Sequence, residues 1–122
     1  MIEKKILIID DEKDFVDMLK GLLETRHYRI VTALDGEAGF SQAVDKKPNL
    51  ILSDIKMPKL DGYALIDKLK SHLGTQDIPI IMISGIGGSD SIEKAKALGA
   101  DDYLIKPLSL GDLTKFVIRY LD

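Results

Sequence analysis

Three short runs of unbroken apolar residues constrain this chain more than any other feature: Ile6-Leu7-Ile8-Ile9, Leu50-Ile51-Leu52 and Ile78-Pro79-Ile80-Ile81-Met82-Ile83. A strand with one wet side alternates apolar and polar residues, whereas a strand covered on both faces carries a continuous run. Each run therefore reads as an interior strand of a sheet buried on both sides, with Pro79 near the start of its run, where a missing N–H does least harm. Arg29-Ile30-Val31-Thr32-Ala33 is more polar, as suits an edge strand, and Tyr103-Leu104-Ile105 reads as a fifth strand.

Between these runs the period changes from that of a strand to that of a helix. Phe15, Met18, Leu19, Leu22 and Leu23 recur at i, i+3, i+4, i+7 and i+8, the stripe of an amphipathic helix. Asp35-Gly36 opens a second helix through Phe40, Ala43 and Val44, and Lys46-Lys47-Pro48 stops it. A third helix is expected from Gly62 to about Leu73, with Ile66, Leu69 and Leu73 on one face and Gly74 closing it. Asp90 and Glu93 have capping-box spacing for a fourth helix running to Leu98 and ended by Gly99. Ser109 and Asp112 repeat that kind of spacing before the stripe of Leu113, Phe116, Val117, Tyr120 and Leu121. The segment Gly85-Ile86-Gly87-Gly88-Ser89, with three glycines in five residues, reads as a mobile loop.

Five strands alternating with five helices predict an α/β fold: one doubly wound five-stranded parallel sheet with helices on both faces. The order 2-1-3-4-5 follows from seating the most apolar runs inside and the polar second strand at an edge. At 122 residues and 45% apolar content, residues 1–122 are expected to form a single domain with one proper core.

Charge and composition exclude several classes. The net charge is −3, with 17 Lys and Arg scattered among 20 acids, so no basic face invites nucleic acid. The chain has no Cys, which removes disulfides, thiolate metal sites and Cys nucleophiles. The stretch Met1-Ile2-Glu3-Lys4-Lys5 leads into only four apolar residues before two acids, which fits neither a signal peptide nor a membrane span. A cytoplasmic protein that contacts neither membrane nor nucleic acid directly is expected. His27 and His72 lack ligand spacing and read as surface residues.

The chemistry gathers at one edge. In a parallel sheet all C-terminal strand ends lie together, and ligands bind there. The residues brought to that edge are Asp10 and Asp11 after the first strand, Asp54 after the third, Ser84 after the fourth and Lys106 after the fifth. Two like charges about 4 Å apart repel by roughly 4 kcal/mol at an effective dielectric of 20, so three clustered carboxylates call for a cation. Hard oxygen ligands at an open edge suit Mg²⁺. That ion and Lys106 together could hold a phosphoryl group.

These residues carry a resemblance. Asp10-Asp11, Asp54 followed by Met57-Pro58 and Asp61-Gly62, Ser84, Gly99-Ala100-Asp101-Asp102-Tyr103 and Lys106-Pro107, in this order and at these spacings, resemble the receiver domain of two-component response regulators, with its CheY-like, flavodoxin-like topology. The resemblance covers essentially the whole chain. It implies that Asp54 accepts a phosphoryl group from a sensor histidine kinase, a phosphotransfer protein or a small phosphodonor. It implies that Asp11, Asp54 and the carbonyl of Lys56 bind Mg²⁺ directly and Asp10 through a water. Lys106 would pair with Asp54 and then with the phosphoryl oxygens, while Ser84 would swing in to hydrogen-bond the phosphate. Tyr103 stands at the family's aromatic switch position, turning inward when the hydroxyl moves, and Lys106-Pro107 is expected as a cis peptide.

Such a domain catalyses only its own phosphorylation and dephosphorylation, and its output is altered binding to a downstream protein or an output domain. Ser84 stands where the family more often carries Thr. Lys56 and Ile86, two residues beyond Asp54 and Ser84, would tune the phosphoryl lifetime. A flavin-binding module of the same topology would seat a phosphate after the first strand, where Asp10-Asp11 repels it. Aspartate-nucleophile phosphatases resemble a D-x-D pattern after that strand and carry a cap for which no chain remains here. A phosphorylation-independent docking module is the alternative, and the presence of both Asp54 and Lys106 weighs against it.

Overall fold

The computed structural model describes residues 3–122; Met1 and Ile2, which the one-domain reading takes in, lie outside the described residues. The elements run β1 (Lys5–Ile9), α1 (Lys13–Glu24), β2 (Arg29–Ala33), α2 (Gly36–Lys46), β3 (Leu50–Ser53), α3 (Gly62–Lys70), β4 (Ile80–Ser84), α4 (Ser89–Leu98), β5 (Asp102–Ile105) and α5 (Leu110–Leu121). All pairings are parallel, and the sheet order is β2-β1-β3-β4-β5, as the distribution of apolar runs predicts.

The unbroken strand runs fill two cores at once, because successive side chains of a strand point to opposite faces. Leu7, Ile9, Ile51, Ile80 and Met82 pack with α2, α3 and α4 through Ala43, Leu65, Ile66, Leu69 and Ala95. Ile6, Ile8, Leu50, Leu52, Ile81 and Ile83 face the other way, onto Val16, Leu19 and Leu23 of α1 and Leu113, Val117 and Leu121 of α5. Each fully buried Leu or Ile is worth about 1.5–3 kcal/mol relative to exposure, so the central strands are fixed by burial on both sides. Edge strand β2 keeps Arg29 in solvent and only Ala33 fully buried. Among the described residues, no helix is long and apolar enough to cross a membrane.

Two helix ends differ from the sequence reading. Helix α3 stops at Lys70, with Ser71 rather than Gly74 closing it. The buried Thr75 hydroxyl donates to the Leu69 carbonyl at 2.7 Å, which turns the chain toward β4 a few residues early. Leu73, assigned to the apolar stripe, is therefore left 86% exposed. Helix α4 begins after Gly88, whose φ of 106° turns the chain, and no side chain caps it; Asp90 and Glu93 both lie inside the helix, so their spacing does not make a capping box. Helices α2, α3 and α5 have side-chain caps, from Asp35, Asp61 and Ser109.

Two close approaches set the loop between β3 and α3, residues 54–61. A Cβ on Gly62 would collide with the Asp54 carbonyl oxygen and lie 2.7 Å from Ile55 Cα, and one on Gly36 would run into the Leu60 carbonyl. The Gly62 N–H donates to the Ile55 carbonyl at 2.7 Å, so the start of α3 is pinned directly beneath Asp54. Gly62→Ala is expected to destabilise the fold by about 1–3 kcal/mol, the cost of overpacking against backbone that cannot yield. Urea unfolding measures this; an unchanged midpoint would show that the loop can shift to make room.

Candidate functional site

Each strand end delivers its residue for a local reason. β1 stops at Ile9, and the Asp10 N–H still bonds to the Ala33 carbonyl at 3.1 Å, carrying Asp10 to the rim beside β2. The Asp54 N–H bonds to the Ile9 carbonyl at 2.9 Å, which seats Asp54 next to Asp10. The Lys106 N–H bonds to the Ser84 carbonyl at 2.9 Å, and the Lys106–Pro107 bond is cis. Parallel pairing extended by one residue thus gathers groups that are distant in sequence.

The result is an open cavity of about 500 Å³ lined by Asp11, Asp54, Lys56, Ser84 and Lys106, all anticipated from sequence, together with Glu12, Gly85 and Ile86. Asp10 and Asp54 are buried and Asp11 is exposed. Carboxylate oxygens of Asp10, Glu12 and Asp54 lie within 4.8 Å of one another, close enough to share one hard cation. Asp11, expected as a direct metal ligand, lines the cavity but lies outside that tight group.

Lys106 sits among the carboxylates. Its Nζ is 2.9 Å from Asp10 Oδ2, 3.0 Å from Glu12 Oε1 and 3.6 Å from Asp54 Oδ2, and it lies 4.2 Å from the centre of the Phe15 ring. The pairing with Asp54 expected from sequence is present, but Asp10 and Glu12 hold the ammonium more closely. Asp54 Oδ1 accepts from the Ile55 N–H at 2.7 Å, which leaves Oδ2 facing the cavity side that holds Lys106.

Burial pushes the Asp10 carboxyl above the usual carboxylate range; the Glu12 N–H and Lys106 pull it back, and the Asp54 charge adds to the rise. Desolvation works against the Lys106 ammonium, but hydrogen bonds to Asp10 and Glu12 outweigh it and hold the group above its ordinary value. For Asp10, whose folded pKa is raised, burial favours the neutral form, so its contribution is fully present below the ordinary value of 3.8 and is lost as pH climbs through the folded value. For Lys106 the stabilisation is present at all pH below 10.5 and is lost only above the raised folded value.

Ser84 and Tyr103 form a second unit. Ser84 Oγ, buried, accepts from the Ile86 N–H at 3.1 Å, and the Tyr103 hydroxyl donates to the Ile86 carbonyl. The Tyr103 ring is half-buried and reaches the loop through its hydroxyl, and burial raises that hydroxyl's pKa. The backbone of Ile86 therefore ties the glycine-rich loop to both β4 and β5. Among the described residues, Glu12 and Phe15 were not singled out by sequence reasoning as site residues. The signal for Glu12 was its place as third acid in Asp10-Asp11-Glu12, directly before α1; Phe15 was assigned only to a core stripe.

The pattern of the response regulator receiver domain matches residues 6–118. The chain belongs to the response regulator receiver family. A probable transcriptional regulator ycf27 of Cyanophora paradoxa is 40% identical over 111 residues, covering 91% of this chain and 45% of that protein. The phosphate regulon transcriptional regulatory protein PhoB of Pseudomonas aeruginosa is 39% identical over 122 residues, covering 98% of this chain and 53% of that protein. This receiver thus spans about half the length of the curated relatives it matches. A two-component response regulator from Clostridium difficile superposes with a TM-score of 0.92 at 37% identity, covering 98% of this chain and 96% of that one. Chemotaxis protein CheY4 of Vibrio cholerae does so with a TM-score of 0.92 at 27% identity, covering 98% and 100%. The receiver is a signalling domain of two-component systems and not a conventional enzyme.

The buried, crowded Asp10 gives a direct check on the electrostatics. Asp10→Asn in EDTA is expected to raise Tm at pH 7 by roughly 2–5 °C, since about 1 kcal/mol moves a domain of this size by that amount. The difference should narrow as pH falls through the ordinary carboxylate range, because the raised Asp10 carboxyl is protonated there. A lower Tm at pH 7 would mean that the Lys106 pair outweighs burial and repulsion.

Proposed function

We propose that this receiver accepts a phosphoryl group on Asp54, from a partner histidine kinase or phosphotransfer protein, in a Mg²⁺-dependent reaction. The observation that carries this reading is the arrangement around Asp54 Oδ2: a carboxylate oxygen at an open cavity, 3.6 Å from Lys106 Nζ, beside further carboxylates and the Ser84 hydroxyl. Phosphoryl transfer requires an in-line nucleophile and fixed positive charge for the equatorial oxygens, with little other chemistry.

The residues fit a divalent cation. Asp11, Asp54 and Lys56 line one open cavity, and the surplus of carboxylates over the closely paired Lys106 leaves negative charge to be met. Asp11, Asp54 and the Lys56 carbonyl would hold Mg²⁺ directly, with Asp10 beyond a water; the bound ion would supply charge to the transferring oxygens. Asp54 attacks phosphorus, the bond to the donor breaks, and the electron pair leaves with the donor. Lys106 stays protonated throughout and passes from the carboxylates to a phosphoryl oxygen. Ser84 Oγ, now engaged with the Ile86 N–H, turns to the new phosphate.

That exchange is the link to output. Freeing the Ile86 N–H loosens one of the two ties on the glycine-rich loop, and the Tyr103 hydroxyl retains the other. A new dianion thereby biases the arrangement of the loop and the neighbouring α4–β5–α5 surface, which meets a downstream protein or output domain. The domain would also hydrolyse its own acyl phosphate, with Lys56 and Ile86 at the cavity mouth setting water access.

Intact-mass analysis after incubation with acetyl phosphate tests this reading. One phosphoryl adduct is expected on the wild type, lost in EDTA and absent from Asp54→Asn. An adduct that persists in Asp54→Asn, or none on the wild type in Mg²⁺, would overturn the assignment.

A further inference from the structure

Lys106 is held by the start of α1 as much as by the strand ends. Glu12 is the residue that caps α1, yet its side chain caps no helical N–H. Its carboxylate reaches Lys106 Nζ at 3.0 Å instead, while the Phe15 ring, one turn along, lies 4.2 Å beneath the same ammonium. Asp54 is the most distant of the three carboxylates around that nitrogen, at 3.6 Å against 2.9 Å for Asp10. Lys106 is thus drawn toward α1, away from the carboxylate it must serve. Glu12 has a 65% exposed side chain, so this contact can open at little desolvation cost, whereas Asp10 is buried and fixed.

We propose that Glu12 is a positioning residue that rests Lys106 against α1, so that an incoming phosphoryl group must take the ammonium from Glu12 before Lys106 can stabilise transfer to Asp54. The inference rests on Asp54 as the phosphoacceptor. In the transfer the Asp54 Oδ2–phosphorus bond forms as the donor's bond to phosphorus breaks: the oxygen–phosphorus bond of acetyl phosphate, with acetate taking the electron pair, or the nitrogen–phosphorus bond of phosphoramidate, with ammonia leaving. Lys106 exchanges one hydrogen bond, from the Glu12 carboxylate to a phosphoryl oxygen, without giving up a proton. The free energy of the Glu12–Lys106 contact is present in the resting protein and absent at the transition state, so it slows phosphoryl uptake. Phe15 sets where the ammonium rests and stays under it on both sides of the exchange.

The test is the rate of phosphorylation of the full chain in saturating Mg²⁺, followed by intact mass, for wild type, Glu12→Gln, Lys106→Ala and the double variant. Acetyl phosphate and the less highly charged donor phosphoramidate are used in parallel. Glu12→Gln is expected to take up phosphate roughly two- to fivefold faster, the factor that a half-exposed ion pair can supply. The same factor is expected with both donors, and it should fall to near one in the Lys106→Ala background. A gain seen only with acetyl phosphate, or one that survives in Lys106→Ala, would mean plain repulsion of the anionic donor and would overturn the proposal. Slower uptake with weaker Mg²⁺ binding in Glu12→Gln would make Glu12 a metal ligand and overturn it as well. Wild-type uptake on Asp54 with an unchanged Glu12→Gln rate overturns this inference alone; no wild-type uptake overturns it together with the function on which it rests.

Discussion

The crowding of Asp10, Glu12 and Asp54 around one ammonium is the constraint on which the rest of the structure depends. A folded chain gains nothing by bringing buried carboxylates together, since like charges in a poorly screened site repel and desolvation penalises each of them. Here the crowding is imposed by the sheet. The Asp54 N–H pairs with the Ile9 carbonyl, and the Lys106 N–H with the Ser84 carbonyl. Slipping β3 by one residue would move Asp54 away from Asp10, but it would also turn the apolar set of β3 to the wrong core. With both faces of β1, β3 and β4 buried, packing in two cores fixes the register, and the burial of the strands holds the charges together.

Such a site is poised because it is held from outside. Lys106 is the cation paired with its carboxylates among the described residues, shared among three of them and a ring face. Anything that adds positive charge, or that brings an anion for Lys106, meets a site already paid for by folding. In the proposed reaction the second layer converts that event into shape. Ser84 and Tyr103 grip the same residue, Ile86, from two strands, one at its N–H and one at its carbonyl. The loop they grip is rich in glycine, so few side-chain contacts oppose its rearrangement. The β3–α3 side is the opposite case, since Gly36 and Gly62 let backbone lie directly on backbone there. One flank of the site is rigid and the other is adjustable, as a switch requires.

Much of this was legible in the residues, for identifiable reasons. Unbroken runs such as Ile6–Ile9 announce strands buried on both faces, and the polar Arg29–Ala33 segment announces an edge, so the order of the sheet followed. Parallel strands then place Asp10, Asp11, Asp54, Ser84 and Lys106 at one edge, and the cavity contains or adjoins all of them. What was not legible depends on packing and on side-chain reach. The early end of α3 is decided by one buried hydroxyl, Thr75, whose partner carbonyl lies six residues back. The start of α4 uses the turn at Gly88, so the acids with cap spacing remained ordinary helix residues. The role of Glu12 was hidden because sequence shows that an acid precedes a helix, but not that its carboxylate ignores the helix and reaches across to a residue 94 positions away.

The measurement that tests the central claim most directly is thermal unfolding of the wild type and of Asp54→Asn against Mg²⁺ concentration, starting from EDTA. If the site is a carboxylate cluster awaiting a cation, wild-type Tm should climb with Mg²⁺. The gain should be about 1.4 kcal/mol, or roughly 4 °C, when the ion reaches ten times its dissociation constant. The climb should be clearly smaller once the Asp54 charge is removed. A wild-type Tm that is flat across millimolar Mg²⁺, or an equal rise in both proteins, would contradict the account.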